Sequence, residues 1–294
     1  MALDTKAIKQ QIKSVGNIRK VTKTMEMISI AKMRKAVERR RNSEVYAKSA
    51  LGILAKVASH YDIRHPLFDK RSSGKNLLVV IASDKGLCGP YNMRIEKEVA
   101  KFVADNKEET DIIAIGNKAK KIAKKLNLNV IYSQSAFPDS VHGDDVIEMI
   151  LKVKELFTKD RQYKKASFVY TEFISSLEFK VVTRNLLPLS KNLLNELFDG
   201  EIQSEEKKGF TPYLFEPNEE QILEEVLPIL LQVGAFQFIL ESLASEHSSR
   251  MLAMRNASDN AARVKDELTG EYNRARQAGI TKEIIEIINA AQAI

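Results

Sequence analysis

The loop SDKGLCGPYN, residues 83 to 92, holds the side chains with most scope for covalent chemistry: the carboxylate of Asp84 and the thiol of Cys88. They could be imagined as base and nucleophile. A cysteine nucleophile needs a base such as histidine within reach, and His60, His65, His142 and His247 are all distant in sequence. Cys88 therefore reads as a small packing residue beside a turn. Gly86 and Gly89 follow neither the GxGxxG spacing of a dinucleotide crevice nor the GxxxxGKS/T spacing of a phosphate cradle, so they read as turn glycines. The four histidines are scattered, and His60 and His65 are off a common helical face. No metal site and no cofactor are expected. His247 reads as a packing or partner-contact residue.

A second kind of chemistry is electrostatic. Residues 1 to 41 carry 12 Lys and Arg against 3 Asp and Glu, while the whole chain of 294 residues carries a net +7. The excess is thus confined to one arm, densest at KMRKAVERRR (32 to 41), where Lys32, Arg34, Lys35, Arg39, Arg40 and Arg41 could meet phosphates or an acidic protein. No aromatic residue precedes Tyr46, so bases would find no stacking platform, and an apolar stripe commits one face of the same segment to a helix partner. An acidic protein partner is expected, with Arg39, Arg40 and Arg41 facing solvent or that partner, and nucleic acid is not.

These residues must be carried on long helices. The first proline is Pro66 and the last is Pro228, leaving both ends of the chain free of helix breakers. Ile8, Ile12, Val15, Ile18, Val21, Met25 and Ile28, then Ile30, Met33 and Val37, step mostly by three and four, as one helical face requires. Leu240, Leu243, His247, Arg250, Met254, Ala257, Ala261, Val264 and Leu268 form a heptad seam, which slips to Tyr272 and Ala275 before Ile284, Ile287 and Ile288. Residues 5 to 58 would span about 80 Å as helix, so a second helix of similar length is needed to cover it. The two ends are expected to pair as one coiled coil.

Between them the period changes. NLLVVIASD (76 to 84), DIIAIGN (111 to 117) and NVIYS (129 to 133) read as strands. Helices are expected after Pro90, over KAKKIAKKLN, and from Gly143, and ASFVYTEF with EFKVVTRNLLPL reads as a hairpin. This is a small doubly wound α/β domain with an antiparallel edge. The expected divisions are a front helix (1 to 60), an α/β domain (76 to 190), a surface loop (191 to 218) and a back helix (219 to 294). The charge-free stretch between Glu225 and Glu241 is too short for a membrane span, and the start MALDTK lacks the apolar region of a secretory signal. A single cysteine excludes an internal disulfide and suits a reducing compartment.

TKTMEMISIAKMRKA (22 to 36), SDKGLCGPYN (83 to 92), YLFEP (213 to 217), LASEHSSRMLAMRNASDNA (243 to 261) and YNRARQAGITKEIIEI (272 to 287) together resemble the gamma subunit of F-type rotary ATP synthases. The resemblance runs from end to end. It departs at Ala290, where the family usually has glycine. It implies a non-catalytic central rotor shaft, an antiparallel coiled coil inside a ring of three alpha and three beta subunits, with the catalytic nucleotide sites on beta. The α/β domain would sit at the foot against the epsilon subunit, with delta as a further candidate neighbour, and against the membrane c-ring of a proton-driven synthase. The implied location is the cytoplasmic face of a bacterial inner membrane, in preference to an organelle. The stretch matching Met25, Arg276, Gln277 and Thr281 would contact beta, with Met25 expected beside Arg276 to Thr281. A coiled-coil adaptor and a nucleotide-using α/β enzyme are the competing readings.

Overall fold

A computed structural model describes residues 2–60, 65–106, 108–159, 162–189 and 219–292. Two very long helices, α1 (Ala2–His60) and α5 (Glu219–Gln292), bracket an alternation of short elements. These are β1 (Lys75–Ile81), α2 (Tyr91–Asp105), β2 (Thr110–Ile115), α3 (Asn117–Lys125), β3 (Asn129–Gln134), a 3-10 turn (Gly143–Val146), α4 (Ile147–Thr158), β4 (Tyr163–Phe173) and β5 (Phe179–Leu187). Every expected strand and helix is present in its expected order. The loop expected at 191 to 218, with its YLFEP segment, lies outside the described residues.

The chain divides into two compact units that do not follow the ends of the helices: one combines residues 1–30 with 250–294, the other spans 31–249. In the second unit the strands form one sheet in the order β3-β2-β1-β4-β5, parallel except for β5, which runs antiparallel to β4. The alternation along β1 explains the layers. Leu77, Val79 and Ile81 point to one face, where Met149, Ile150, Val153 and Phe157 of α4 and the first half of α5 cover them. Leu78 and Val80 point to the other, against Ile95 and Val99 of α2 and Ile122 of α3. Both faces are buried, and so the strands read as continuous apolar runs.

The apolar stretch of α5, expected from its flanking charges to be too short for a membrane span, is buried in the core. By length and composition alone α5 passes for a span, yet 67% of its most apolar window is buried in the protein. Leu227, Leu230, Leu231, Phe238 and Ile239 all belong to the larger core. Phe238 anchors it, stacking on Tyr170 with ring centroids 4.4 Å apart and tilting against Phe168 at 5.4 Å.

At the carboxyl edge of the sheet, Gly116 makes the turn from β2 into α3 with φ at +96°, and a Cβ there would stand 2.1 Å from the Ala82 carbonyl oxygen. Left-handed backbone and a clash with main chain would both penalise a side chain. Gly116→Ala is expected to cost about 3 kcal/mol, seen as a lower thermal midpoint of the assembled protein; an unchanged midpoint would mean that this turn can relax.

Candidate functional site

The first unit is a pair of antiparallel helices with a partly polar seam. On α1, Ile8, Ile12 and Val15 are half-buried; the heptad then continues through Thr22, Glu26 and Ser29, which are buried although polar. Thr22 donates to the Ile18 carbonyl, Ser29 to the Met25 carbonyl, and Glu26 receives the Lys23 ammonium at 2.9 Å. The apolar stripe read from the sequence is thereby corrected: Ile18, Val21 and Ile28 are exposed at 52%, 59% and 49%. A strict seven-residue repeat carries Val15 to Thr22 and Ser29, whereas a path through the apolar Ile18 and Val21 leaves the seam. On α5 the seam runs through Met254, Ser258 and Ala261, then half-buried Lys265, Leu268, Tyr272, Ala275 and Gly279, so Val264 points outward. Ile284, Ile287 and Ile288 continue no seam; with Ile280 and Ile285 they are about half or more exposed.

This geometry separates residues that the resemblance implied were neighbours. Lys265 lines the same groove as Ile12, Asn17, Lys20 and Thr24. Met25, half-buried, lies past one end of that groove, and Arg276, about three turns beyond Lys265, lies past the other. At about 1.5 Å per residue the two levels are roughly 25 Å apart along the pair. Arg276 and Gln277 are exposed, as is Thr281, whose hydroxyl donates to the Gln277 carbonyl at 3.0 Å.

In the second unit the basic segment is only partly open. Lys32 pairs with Asp139 at 2.7 Å, Arg39 donates to the carbonyls of Asp139 and Val141, and Arg40 sits 3.1 Å from Glu241. Arg39 and Arg40 are half-buried with partners inside the protein, while Arg34, Lys35 and Arg41 are exposed. None of the three arginines 39 to 41 enters the core, as expected, but only Arg41 is fully open, since Arg39 and Arg40 are turned to partners within the chain. Asp139 also meets the buried His247 of α5, so one loop carboxylate ties both long helices to the α/β domain. Burial pushes the Asp139 carboxyl up, but hydrogen bonds from Lys32 and His247 outweigh it and the net shift is down. Glu241 goes the other way. Burial, aided by nearby Glu172, raises it to about 7 against the opposing pull of Arg40 and Arg184. The contact with Arg40 is close but poorly aligned, and Glu241 Oε2 is buried without a hydrogen-bond partner.

The carboxyl ends of β1 and β4, where a doubly wound sheet commonly receives a ligand, are filled by α5. Ser249 donates to the Cys88 carbonyl at 2.6 Å, Ser245 to the Thr171 carbonyl at 3.1 Å, and the Thr171 N–H donates to the Ser242 hydroxyl at 3.3 Å. Asp84, the imagined base, instead accepts the N–H groups of Asn117 and Ala136 and so joins the loops that follow β1, β2 and β3. Cys88 is buried, and Asn92 donates to its sulfur at 3.2 Å. Among the described residues no group of three or more His, Cys, Asp or Glu side chains could hold a metal. Asp139, Glu241 and the α5 serines do not stand out in the sequence; only the serines, recurring near three and four residues apart, leave a readable signal.

Residues 4–294 match the family model described as ATP synthase. The chain is 35% identical over 295 residues to the ATP synthase gamma chain of Cupriavidus pinatubonensis, covering 99% of each, and 34% identical over 289 residues to that of Heliobacterium modesticaldum, covering 98% of each. Its fold resembles chains in the mitochondrial ATP synthases of Euglena gracilis (TM-score 0.69, 18% identity, 100% of this chain and 95% of that one) and Tetrahymena thermophila (TM-score 0.60, 24% identity, 81% and 99%). The latter structure is described as central stalk and c-ring.

A carboxyl raised on folding stabilises the fold while protonated; that contribution is complete below its unfolded pKa and is lost as pH rises through the folded value, here about 7. Between pH 5 and 8 the protein should therefore lose about 2 to 3 kcal/mol at Glu241. Glu241→Gln is expected to flatten that part of the pH profile of thermal unfolding; identical slopes in both proteins would place the titration elsewhere.

Proposed function

Because this chain belongs to the ATP synthase gamma chain family over nearly its whole length, we propose that it is the central-stalk rotor subunit of a proton-driven F-type ATP synthase. It couples rotation of the membrane c-ring to conformational change in the beta subunits, which hold the catalytic nucleotide sites, and is itself not an enzyme. The observation that carries this reading is the outward apolar surface of the first unit. Ile18, Val21, Met27 and Ile28 on α1, and Ile280 to Ile288 on α5, stand exposed on a helix pair whose seam is partly polar. Such a surface suits a shaft enclosed by other subunits.

One shaft among three similar sites must offer each a different face. Residues 241 to 294 carry 7 Lys and Arg against 8 Asp and Glu, in contrast to the basic first 41 residues, so the two helices differ in charge. Rotation changes which beta subunit meets the basic side and shifts that subunit among its states by differential contact. Met25 is one proposed beta contact; Arg276, Gln277 and Thr281 are another, at a separate level of the shaft. Arg276 and Gln277 offer guanidinium and amide donors able to hold and release an acceptor. Arg34, Lys35 and Arg41 are the cations left open to acidic partners, beside Lys32, Arg39 and Arg40, which are engaged within the chain. The ring of alpha and beta subunits, the epsilon and delta subunits and the c-ring are the proposed partners, one copy of this chain serving each complex. The chain would lie peripherally on the cytoplasmic face of a bacterial inner membrane, held there by those partners.

Purified alone, the chain should hydrolyse no ATP, and native mass spectrometry of the purified assembly should find it once per ring; several copies would favour an adaptor. Met25→Lys would place another cation near Lys23 and hold one rotary position too tightly, raising the barrier to leaving it. Proton pumping per ATP hydrolysed in membrane vesicles is expected to fall at least about twofold, with subunit content unchanged. Wild-type coupling by that variant would remove Met25 from the mechanism.

A further inference from the structure

Hydroxyl side chains in a helix ordinarily turn back on the preceding turn. Thr22, Thr24, Ser29, Thr269 and Thr281 all do so, donating to a carbonyl four residues earlier. The serines at the middle of α5 behave differently: each reaches to another element. Ser245 and Ser249 donate to the carbonyls of Thr171 and Cys88, Ser248 donates to the Ser176 carbonyl at 2.6 Å, and Ser242 receives the Thr171 N–H. The Tyr91 hydroxyl adds a bond to the Ser242 carbonyl at 3.3 Å. All four serines are buried.

The partners come from two directions, the β1–α2 segment and β4 with its hairpin turn. Ser242, Ser245 and Ser249 share one face of the helix, and Ser248 is turned by about 100° from Ser249. Apolar burial such as that of Phe238 resists separation without direction of its own, and it resists sliding and twisting only through the interdigitation of its side chains. Hydrogen bonds to main-chain atoms at set positions resist both. We propose that these serine bonds are the torque-bearing joint between the α/β domain and the shaft helix, fixing the rotational phase of α5 against the sheet. This rests on the rotor reading above. The bonds join neutral groups, so the joint is indifferent to ionic strength, unlike the Lys32–Asp139 and Arg40–Glu241 pairs.

The test uses the assembled complex, held by its beta subunits, with a probe attached through Leu151→Cys on the exposed face of α4. Angular variance of the probe is read at a catalytic pause. The double variant Ser245→Ala, Ser249→Ala is expected to raise that variance about twofold at both low and high salt, since two of the directional bonds are gone. The exposed Ser73→Ala should leave it unchanged. Should the double variant not assemble, Ser249→Ala takes its place with a smaller rise expected. An unchanged variance in whichever variant assembles overturns the joint and leaves the rotor intact; a wild-type probe that does not turn with ATP overturns the rotor reading itself.

Discussion

The packing of α5 against the sheet is the contact on which the second unit depends. Phe238 packs against both Phe168 and Tyr170, and around it the first half of α5 closes the face that α4 covers only in part. Once that helix is seated, Glu241 is carried out of water beside Arg40, His247 reaches Asp139, and the serines arrive at the carbonyls of Cys88 and Thr171. None of these polar contacts would drive the docking. A buried hydrogen bond nets only about 1 kcal/mol, and desolvating Glu241 is unfavourable, so apolar burial supplies the affinity and the polar groups supply the orientation.

The same seating closes the place where a fold of this kind commonly receives a nucleotide. A doubly wound sheet offers its crevice where the strand order reverses, here between the carboxyl ends of β1 and β4. α5 occupies that place with its hydroxyls, and Asp84, the carboxylate best placed to serve a ligand, is spent on the N–H groups of Asn117 and Ala136. The edge is a socket for a helix of its own chain.

How far the sequence can be read follows from the range of each interaction. The strands are legible because burial on both faces makes each a continuous apolar run, and α2 because Ile95, Val99 and Phe102 recur at helical spacing. The seam of α1 is hidden between Ile18 and Ile28 because its repeat passes through Thr22, Glu26 and Ser29, and polar residues give no apolar signal. Asp139 is not legible at all. Its partners Lys32 and His247 are each more than about 100 residues away along the chain, and only the completed fold brings long helices from both termini to one loop. The separation of Met25 from Arg276 is obscured for a related reason: the register of two antiparallel helices depends on which turns face each other, which a set of motifs does not contain.

The last turns of α5 have a consequence for how such a chain comes into being. From Ile280 onward the helix has no covering partner among the described residues, and a helical segment this short is marginal in water on its own propensity. Its isoleucines are β-branched and apolar, which disfavours helix at an exposed site and favours contact with other chains. Newly made, this end is therefore a sticky, weakly ordered tail, and on the rotor reading proposed above the subunits that would enclose it act in effect as its chaperone, so that their supply in step with this chain guards against aggregation.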